Sequence, residues 1–233
     1  MKDYEKFYLE NLYPFQDGIL KIVKKLKTPF YLTGGTALSR CYFRHRYSDD
    51  LDFFVNSKNF FKKYGSLLIE NFLNNEKEFN YKVDTERFQK SENYICLYLI
   101  KNEIQLKIDI VCDVKFRIDK PYYDKRFGLV DSWKNILVNK IGALYRFEPK
   151  DIADIWIISK NFTFDWRLIF KYATQKDIGI DTQTIYEIIS TIPKEFLMSL
   201  KWSSDEYEKE IYDDLQIIAS DIINGNINSL AKF

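Results

Sequence analysis

The stretch Tyr31-Leu32-Thr33-Gly34-Gly35-Thr36-Ala37-Leu38, followed by Arg46-Tyr47-Ser48-Asp49-Asp50-Leu51-Asp52-Phe53-Phe54, decides the fold of this chain. A short apolar run ends in two glycines and gives way to a helical pattern, so the glycines sit at a strand-to-helix turn. Without Cβ atoms the backbone there can approach a ligand closely, and the first N–H groups of the helix favour an anion. Thr36 and Ser39 add hydroxyls able to bond phosphate oxygens. In the next strand, 50–55, side chains alternate. Asp50 and Asp52 therefore share one face with Phe54, while Leu51, Phe53 and Val55 share the other. Two adjacent carboxylates repel unless a cation lies between them, and their hard oxygen donors suit a divalent metal. Asp49 points the other way and is the weaker candidate. Turn and acid pair together describe a place for a metal-bound triphosphate.

Working outward, Ile19, Ile22, Val23 and Leu26 have helical spacing between Pro14 and Pro29, with Lys21, Lys24, Lys25 and Lys27 on an outer face read as solvated. A further helix is predicted over 58–73. From 81 to 113 the pattern is one of strands, with 94–100 and 104–112 paired as a hairpin across Lys101-Asn102-Glu103. Ile104, Leu106, Ile108 and Ile110 alternate with Gln105, Lys107, Asp109 and Val111, which places Asp109 on the mostly polar face; Asp113 lies two strand steps further along that face. Residues 119–128, bounded by Pro121 and Gly128, read as a connection. Beyond it only helices are predicted: 132–146, 149–160, 165–174, 181–190, a shorter piece after Pro193, and 205–224. The expected architecture is α+β, with a mixed-sheet domain over 1–118, the connection over 119–128 and an all-helical domain over 129–233.

A chain of 233 residues that is 46% hydrophobic is globular and can bury roughly 70% of its unfolded surface. Lys plus Arg number 35 against 34 Asp plus Glu, so no overall charge marks it for nucleic acid or membrane, and any polyanion site must be local. Cys41, Cys96 and Cys112 lie in apolar patterns whose spacing fits neither zinc nor a disulfide framework, and read as reduced core residues. The lone His45, among Arg44, Arg46 and Tyr47, cannot build an ordinary histidine metal site and is expected at the surface or beside a phosphate. With no apolar run behind the mixed charges of the N-terminus and none long enough to cross a bilayer, a cytoplasmic location is expected and no membrane partner.

Gly34-Gly35-Thr36-Ala37-Leu38 and Arg46-Tyr47-Ser48-Asp49-Asp50-Leu51-Asp52-Phe53 resemble the DNA-polymerase-β-like nucleotidyltransferases, in which a glycine turn precedes an Asp-x-Asp strand and a third carboxylate lies on a later strand. Asp109 in Lys107-Ile108-Asp109-Ile110 matches that third position best, with Asp113 in reserve. Lys140-Ile141-Gly142-Ala143-Leu144-Tyr145-Arg146 and Pro149-Lys150-Asp151-Ile152-Ala153-Asp154 narrow the likeness to the abortive-infection (AbiEii/AbiGii-like) nucleotidyltransferase toxins. The five motifs occur in order from about Leu32 to Ile158. In the predicted helix, Leu137, Ile141, Leu144 and Tyr145 form a buried stripe with Lys140 beside it, where a long cation could reach a triphosphate. Asp151 and Asp154, three apart, share one helical side; Asp151 can equally well complement the helix dipole and pair with a basic neighbour.

The resemblance implies a nucleotidyl transfer with NTP as substrate and two Mg²⁺ ions held by Asp50, Asp52 and Asp109. Catalysis would fall to those carboxylates with Lys140 and Asp154, and nucleotide binding to Gly34, Gly35, Thr36, Ser39, Arg46, Lys140 and Asp151. It further implies a toxin of a toxin–antitoxin pair used against phage, with the antitoxin encoded nearby and tRNA as the acceptor. Arg40, Arg44, Arg46, Arg146 and Lys150 could form a basic rim for that acceptor. Two rivals remain: transfer to a small molecule or a protein, and a nucleotide-binding module without catalysis.

Overall fold

In the computed structural model, which describes residues 2–231, apolar and alternating segments form strands β1 (Tyr31–Thr33), β2 (Leu51–Val55), β3 (Lys82–Lys90), β4 (Tyr94–Lys101), β5 (Ile104–Cys112), β6 (Tyr122–Asp124) and β7 (Gly128–Val130). They make one mixed sheet in the order β3-β4-β5-β2-β1-β7-β6. The pairs β1/β7 and β2/β5 are parallel and the remaining neighbours antiparallel. With the sheet fold helices α1 (Asp3–Phe7), α2 (Tyr13–Lys25), α3 (Gly34–Ala37), α4 (Lys58–Asn74) and α5 (Glu76–Phe79). Wider, π-type turns over Tyr8–Leu12 join α1 to α2, and similar turns over Leu38–Phe43 continue α3. The helical half comprises α6 (Trp133–Ala143), α7 (Pro149–Asn161), α8 (Trp166–Lys176), α9 (Thr182–Thr191), α10 (Lys194–Met198) and α11 (Asp205–Asn224).

The chain divides into two compact units. Unit 1 holds the described residues up to Cys41 together with Tyr47–Asp131; unit 2 holds Tyr42–Arg46 and the described residues from Ser132 onward. Residues 42–46 thus leave the part of the sequence in which they were expected. Residues 119–128, expected as a connection, instead contain β6 and the start of β7, a hairpin on one edge of the sheet. Composition misleads here because a short edge hairpin is as rich in proline, glycine and charge as a linker.

Within unit 1, strand alternation sorts the two faces as expected. Leu51, Phe53 and Val55 of β2 and Leu106, Ile108 and Ile110 of β5 are buried; α4 packs on β2 and β5, and α2 on β7 and α4, with Ile19, Ile22, Phe61 and Leu68 among their buried residues. Burying a side chain such as Phe53 contributes about 1.5–3 kcal/mol. The intervening Asp52, Lys107 and Asp109 stay half-buried on the other face. The β4–β5 turn fixes that register: Asn102 (φ 47) and Glu103 (φ 69) both adopt left-handed backbone, the two-residue turn whose twist matches a hairpin. In unit 2, helices begin where short polar side chains accept their first free N–H groups: Ser132 from Asn135, Asp165 from Arg167, Asp181 from Thr184 and Ser204 from Glu206. The last helix ends at Gly225 (φ 60).

Candidate active site

Strand pairing builds the site in unit 1. Thr33, the last residue of β1, pairs with Asp52 of β2, and Asp52 pairs with Asp109 of β5, so three adjacent strands carry Thr33, Asp52 and Asp109 in one row. Asp50 lies just before β2, on the same side by alternation. Asp113 follows the end of β5, where Asn56 donates to its carboxylate at 3.4 Å, one strand end away from Asp52. The register therefore favours Asp109 over Asp113 as the neighbour of Asp52.

The glycine turn meets this row directly. Gly34 has φ +68, and a Cβ placed on it would lie 2.5 Å from Asp52 Oδ2, a distance that no side chain can occupy. Glycine is required here twice, for the left-handed backbone and for the carboxylate that packs against it. Thr36 and Ser39 behave differently from expectation. Both are buried; the Thr36 hydroxyl bonds the Asp50 carbonyl and lies 2.9 Å from Ser48 Oγ, while Ser39 Oγ reaches the Thr36 carbonyl at 3.5 Å. The Thr36 hydroxyl fastens the start of the helix to the segment entering β2 and so sets Asp50, while Ser39 bonds back onto its own helical turn.

Lys107, two residues before Asp109 and thus on its face, puts its Nζ 2.6 Å from Asp109 Oδ2, and the Tyr94 hydroxyl donates to Asp109 Oδ1 at 2.8 Å. Partial burial alone would lower the Lys107 ammonium, but the hydrogen bond and charge of Asp109, and then the charge of Asp50, raise it above its ordinary value. Burial, followed by the Asp109 bond, pushes the Tyr94 phenol upward as well. The carboxylate row already gathers one cation. Lys107 was missed in the sequence although its i, i+2 relation to Asp109 was visible. Also missed was the buried Asp131, which accepts from Thr33 Oγ1 at 2.8 Å and from Arg117 Nη2 at 2.7 Å, and so braces the end of β1; it stood at a presumed domain edge with no motif around it.

Asp50, Asp52 and Asp109 suit a hard divalent cation in kind, being oxygen donors only, and Asp52 and Asp109 are strand neighbours whose backbones lie about 5 Å apart. Among the described residues, no three His, Cys, Asp or Glu side chains already converge as a metal cage.

Unit 2 holds the other residues singled out in the sequence, as one buried network. Arg46 makes a two-pronged pair with Asp154, Nε to Oδ1 and Nη2 to Oδ2, each at 2.8 Å. His45 Nε2 lies 2.9 Å from the same Oδ1. Lys140 Nζ is 2.6 Å from both Asp154 Oδ2 and Asp151 Oδ1, and Arg146 Nη2 closes the chain on Asp151 Oδ2 at 2.8 Å. Asp151, Asp154 and His45 are fully buried, and Arg46 and Lys140 nearly so. Burial alone would raise the Asp154 carboxyl, but the charges of Arg46 and Lys140 hold it well below its ordinary range. Burial would likewise lower Lys140, and Asp154 and Asp151 raise it instead. For His45 burial wins and its pKa is lowered, so the ring is neutral at pH 7. Two anions thus face two cations inside, with Arg146 at the surface.

His45 is therefore not a surface residue. A lone histidine flanked by arginines looked solvated because the buried carboxylate that takes it up stands 109 positions away. Lys140 lies inside rather than beside the apolar stripe, and Tyr145 is exposed. In unit 1, Arg40 is no rim residue: it is buried, bonds Gln16 at 3.0 Å and Asp17 at 2.6 Å, and lies over the Tyr13 ring. All three cysteines are free thiols.

A mixed sheet with a glycine turn against neighbouring strand carboxylates, followed by an all-helical half, is the polymerase-β-like nucleotidyltransferase architecture. The chain belongs to the AbiEii family: the model described as nucleotidyl transferase AbiEii toxin, type IV TA system, matches residues 20–213. Among solved structures it is similar to JHP933 from Helicobacter pylori, at 18% identity and TM-score 0.56, covering 92% of this chain and 93% of that one. It is also similar to MenT4, a nucleotidyltransferase toxin from Mycobacterium tuberculosis H37Rv, at 14% identity and TM-score 0.51, covering 88% and 82%. At these identities the likeness is one of fold. Comparison with curated proteins gives no match.

Proposed function

We propose that this protein transfers a nucleotide from an NTP to an acceptor hydroxyl, with release of pyrophosphate, and that it acts as the toxin of a toxin–antitoxin pair in phage defence. The observation that carries the chemistry is the row Thr33, Asp52 and Asp109 across β1, β2 and β5, with Gly34 packed on Asp52. Asp50, Asp52 and Asp109 would hold Mg²⁺, two ions in all, which when bound neutralise polyphosphate charge and acidify the acceptor hydroxyl. The Cβ-free turn at Gly34 and Gly35 leaves room for phosphate oxygens beside the carboxylates and offers the free N–H groups of a helix start. The Thr36 and Ser39 hydroxyls would hold the turn in place rather than bond the phosphates themselves. Lys107 balances the carboxylates before substrate arrives and is then free to turn toward polyphosphate. The acceptor oxygen would attack the α-phosphorus, the bond from that phosphorus to the bridging oxygen of the leaving pyrophosphate would break, and Asp109 would take the acceptor proton. In unit 2 the network of Arg46, His45, Lys140, Asp151 and Asp154 positions its helices.

The AbiEii match supports a cognate antitoxin, and we assign tRNA as the acceptor. The test is incubation of purified protein with each labelled NTP, Mg²⁺, total RNA and cell protein. Label should enter tRNA and disappear with Asp52→Asn or Asp109→Asn; each is isosteric, and in Asp109→Asn the amide oxygen can still accept from Lys107 or Tyr94. Label in protein or in a small molecule would replace the acceptor, and an active, folded Asp52→Asn would overturn the site.

A further inference from the structure

The opposite side of the same sheet holds a cavity of about 370 Å³, formed by the end of α2, the approach to β1, β2 and the β6–β7 hairpin. Val23, Phe30, Phe53, Phe127 and Leu129 give it hydrocarbon walls. Strand alternation turns Phe53 away from its neighbour Asp52, so this is not the carboxylate site. Its polar lining residues are Thr28, Lys24, Lys27 and the exposed Tyr123. Thr28 is 6% exposed, and its Oγ1 is buried without a hydrogen-bond partner. Lys24 and Lys27 line the wall; Lys24 Nζ reaches the Lys125 carbonyl at 2.9 Å, and Lys27 is exposed. None of the ten lining residues is acidic, so the cavity's charge has one sign. The C-terminal end of α2 adds about half a negative charge nearby, which the full charges of Lys24 and Lys27 outweigh. The basic face that the sequence left as solvated thus supplies one end of an apolar hole.

We infer that this cavity is a second binding site, for a small amphipathic monoanion: a carboxylate on a short aliphatic chain or single ring. Its volume lies near the lower end for small-molecule sites, and apolar walls with a few convergent polar groups are their usual make-up. The carboxylate would meet Lys27, and the Thr28 hydroxyl, which has no partner, would rotate to donate to it, while the body lies against Leu129 and Phe127. A triphosphate is excluded, since its charge would have to be buried against hydrocarbon.

The test is titration of the full chain with sodium octanoate, and with 1-octanol as the uncharged counterpart, followed by calorimetry and by amide shifts of β2 and β7. Octanoate should saturate below about 10 mM, and 1-octanol should bind more weakly. Leu129→Trp fills the cavity and should abolish binding, and Thr28→Val should weaken it. Lys27→Glu, at an exposed position and with the fold checked by its thermal melt, should weaken octanoate at least about tenfold and leave 1-octanol unchanged. No octanoate binding at that concentration, equal affinity for the two probes, or octanoate binding indifferent to Lys27→Glu would each overturn the proposal.

Discussion

Gly34→Ala puts the site's geometry to the sharpest test. Two costs fall on one added methyl group. The backbone at φ +68 is left-handed, which costs an L-residue about 1–2 kcal/mol. The new Cβ would also lie 2.5 Å from Asp52 Oδ2, so the carboxylate must rotate away, at about 0.5–1.5 kcal/mol for an off-rotamer side chain. The total is about 1.5–3.5 kcal/mol. The second cost is removable: Asp52 Cβ would be 3.6 Å away, ordinary contact, so in an Asp52→Ala background only the backbone cost remains. The pair should therefore show a coupling of about 1 kcal/mol. Because Trp133, Trp156, Trp166 and Trp202 all lie in unit 2, tryptophan fluorescence reports the wrong half. Hydrogen exchange at β1 and β2 amides, read with and without urea, reports unit 1. Transfer activity should fall at least about a hundredfold in Gly34→Ala, since a displacement of about 1 Å in a reacting group costs that much. If the alanine costs the same within about 0.3 kcal/mol in both backgrounds, the Asp52 carboxylate does not pack on residue 34 and the reasoning fails.

Other perturbations probe the rest of the fold. Arg46→Ala leaves two buried carboxylates, Asp151 and Asp154, sharing the single buried cation Lys140, and should destabilise unit 2 by about 3–5 kcal/mol, measured by urea titration of tryptophan fluorescence; a loss below about 1 kcal/mol would dismiss the network as structural. Acid should weaken unit 2 in two steps. Burial depresses His45, so below about pH 6.5 the unfolded chain binds a proton that the folded one refuses, and stability falls. Asp154, also depressed, loses its share as pH falls through its folded value, below about 3.9. Lys140 is raised, so its share holds up to about pH 10.4 and is lost above, which leaves a plateau from about 6.5 to 10.4. Thermal melts across pH should show this, and His45→Gln should flatten the first acid step alone. Glu103→Gly removes a strained left-handed residue from the β4–β5 turn and should stabilise unit 1 by about 0.5–1 kcal/mol; exchange at β4 and β5 amides checks it.

Where the determinant was local, the sequence told the structure directly. Alternation in β2 and β5 assigned Asp52 and Asp109 to one face, and the glycine pair marked the turn, because a period of two and a missing Cβ are properties of a few neighbouring residues. The helices after residue 132 were legible for the same reason, each by its own apolar spacing, with a short polar cap at the start of α6, α8, α9 and α11. What stayed hidden depended on partners far along the chain. Nothing near Arg46 or Lys140 reveals that Asp154 and Asp151 will take their charges indoors, and a cation on paper reads as a cation free for substrate. Thr36 and Ser39 looked like phosphate donors since a hydroxyl beside a glycine turn is ambiguous until the Asp50 carbonyl is seen to receive it.

The five residues from Tyr42 to Arg46 make unit 2 impossible to cut out as one contiguous piece. A fragment beginning at Ser132 would bury Asp154 without its guanidinium and leave Ser203 without the His45 carbonyl that its N–H and hydroxyl contact. The same arrangement orders events on the ribosome. Arg46 is synthesised 108 residues before Asp154, a wait on the order of ten seconds at ordinary elongation rates. During that interval the sheet strands of unit 1 can pair while a charged segment in their midst has no home, so the helical half completes its core only after the chain has doubled back to collect it.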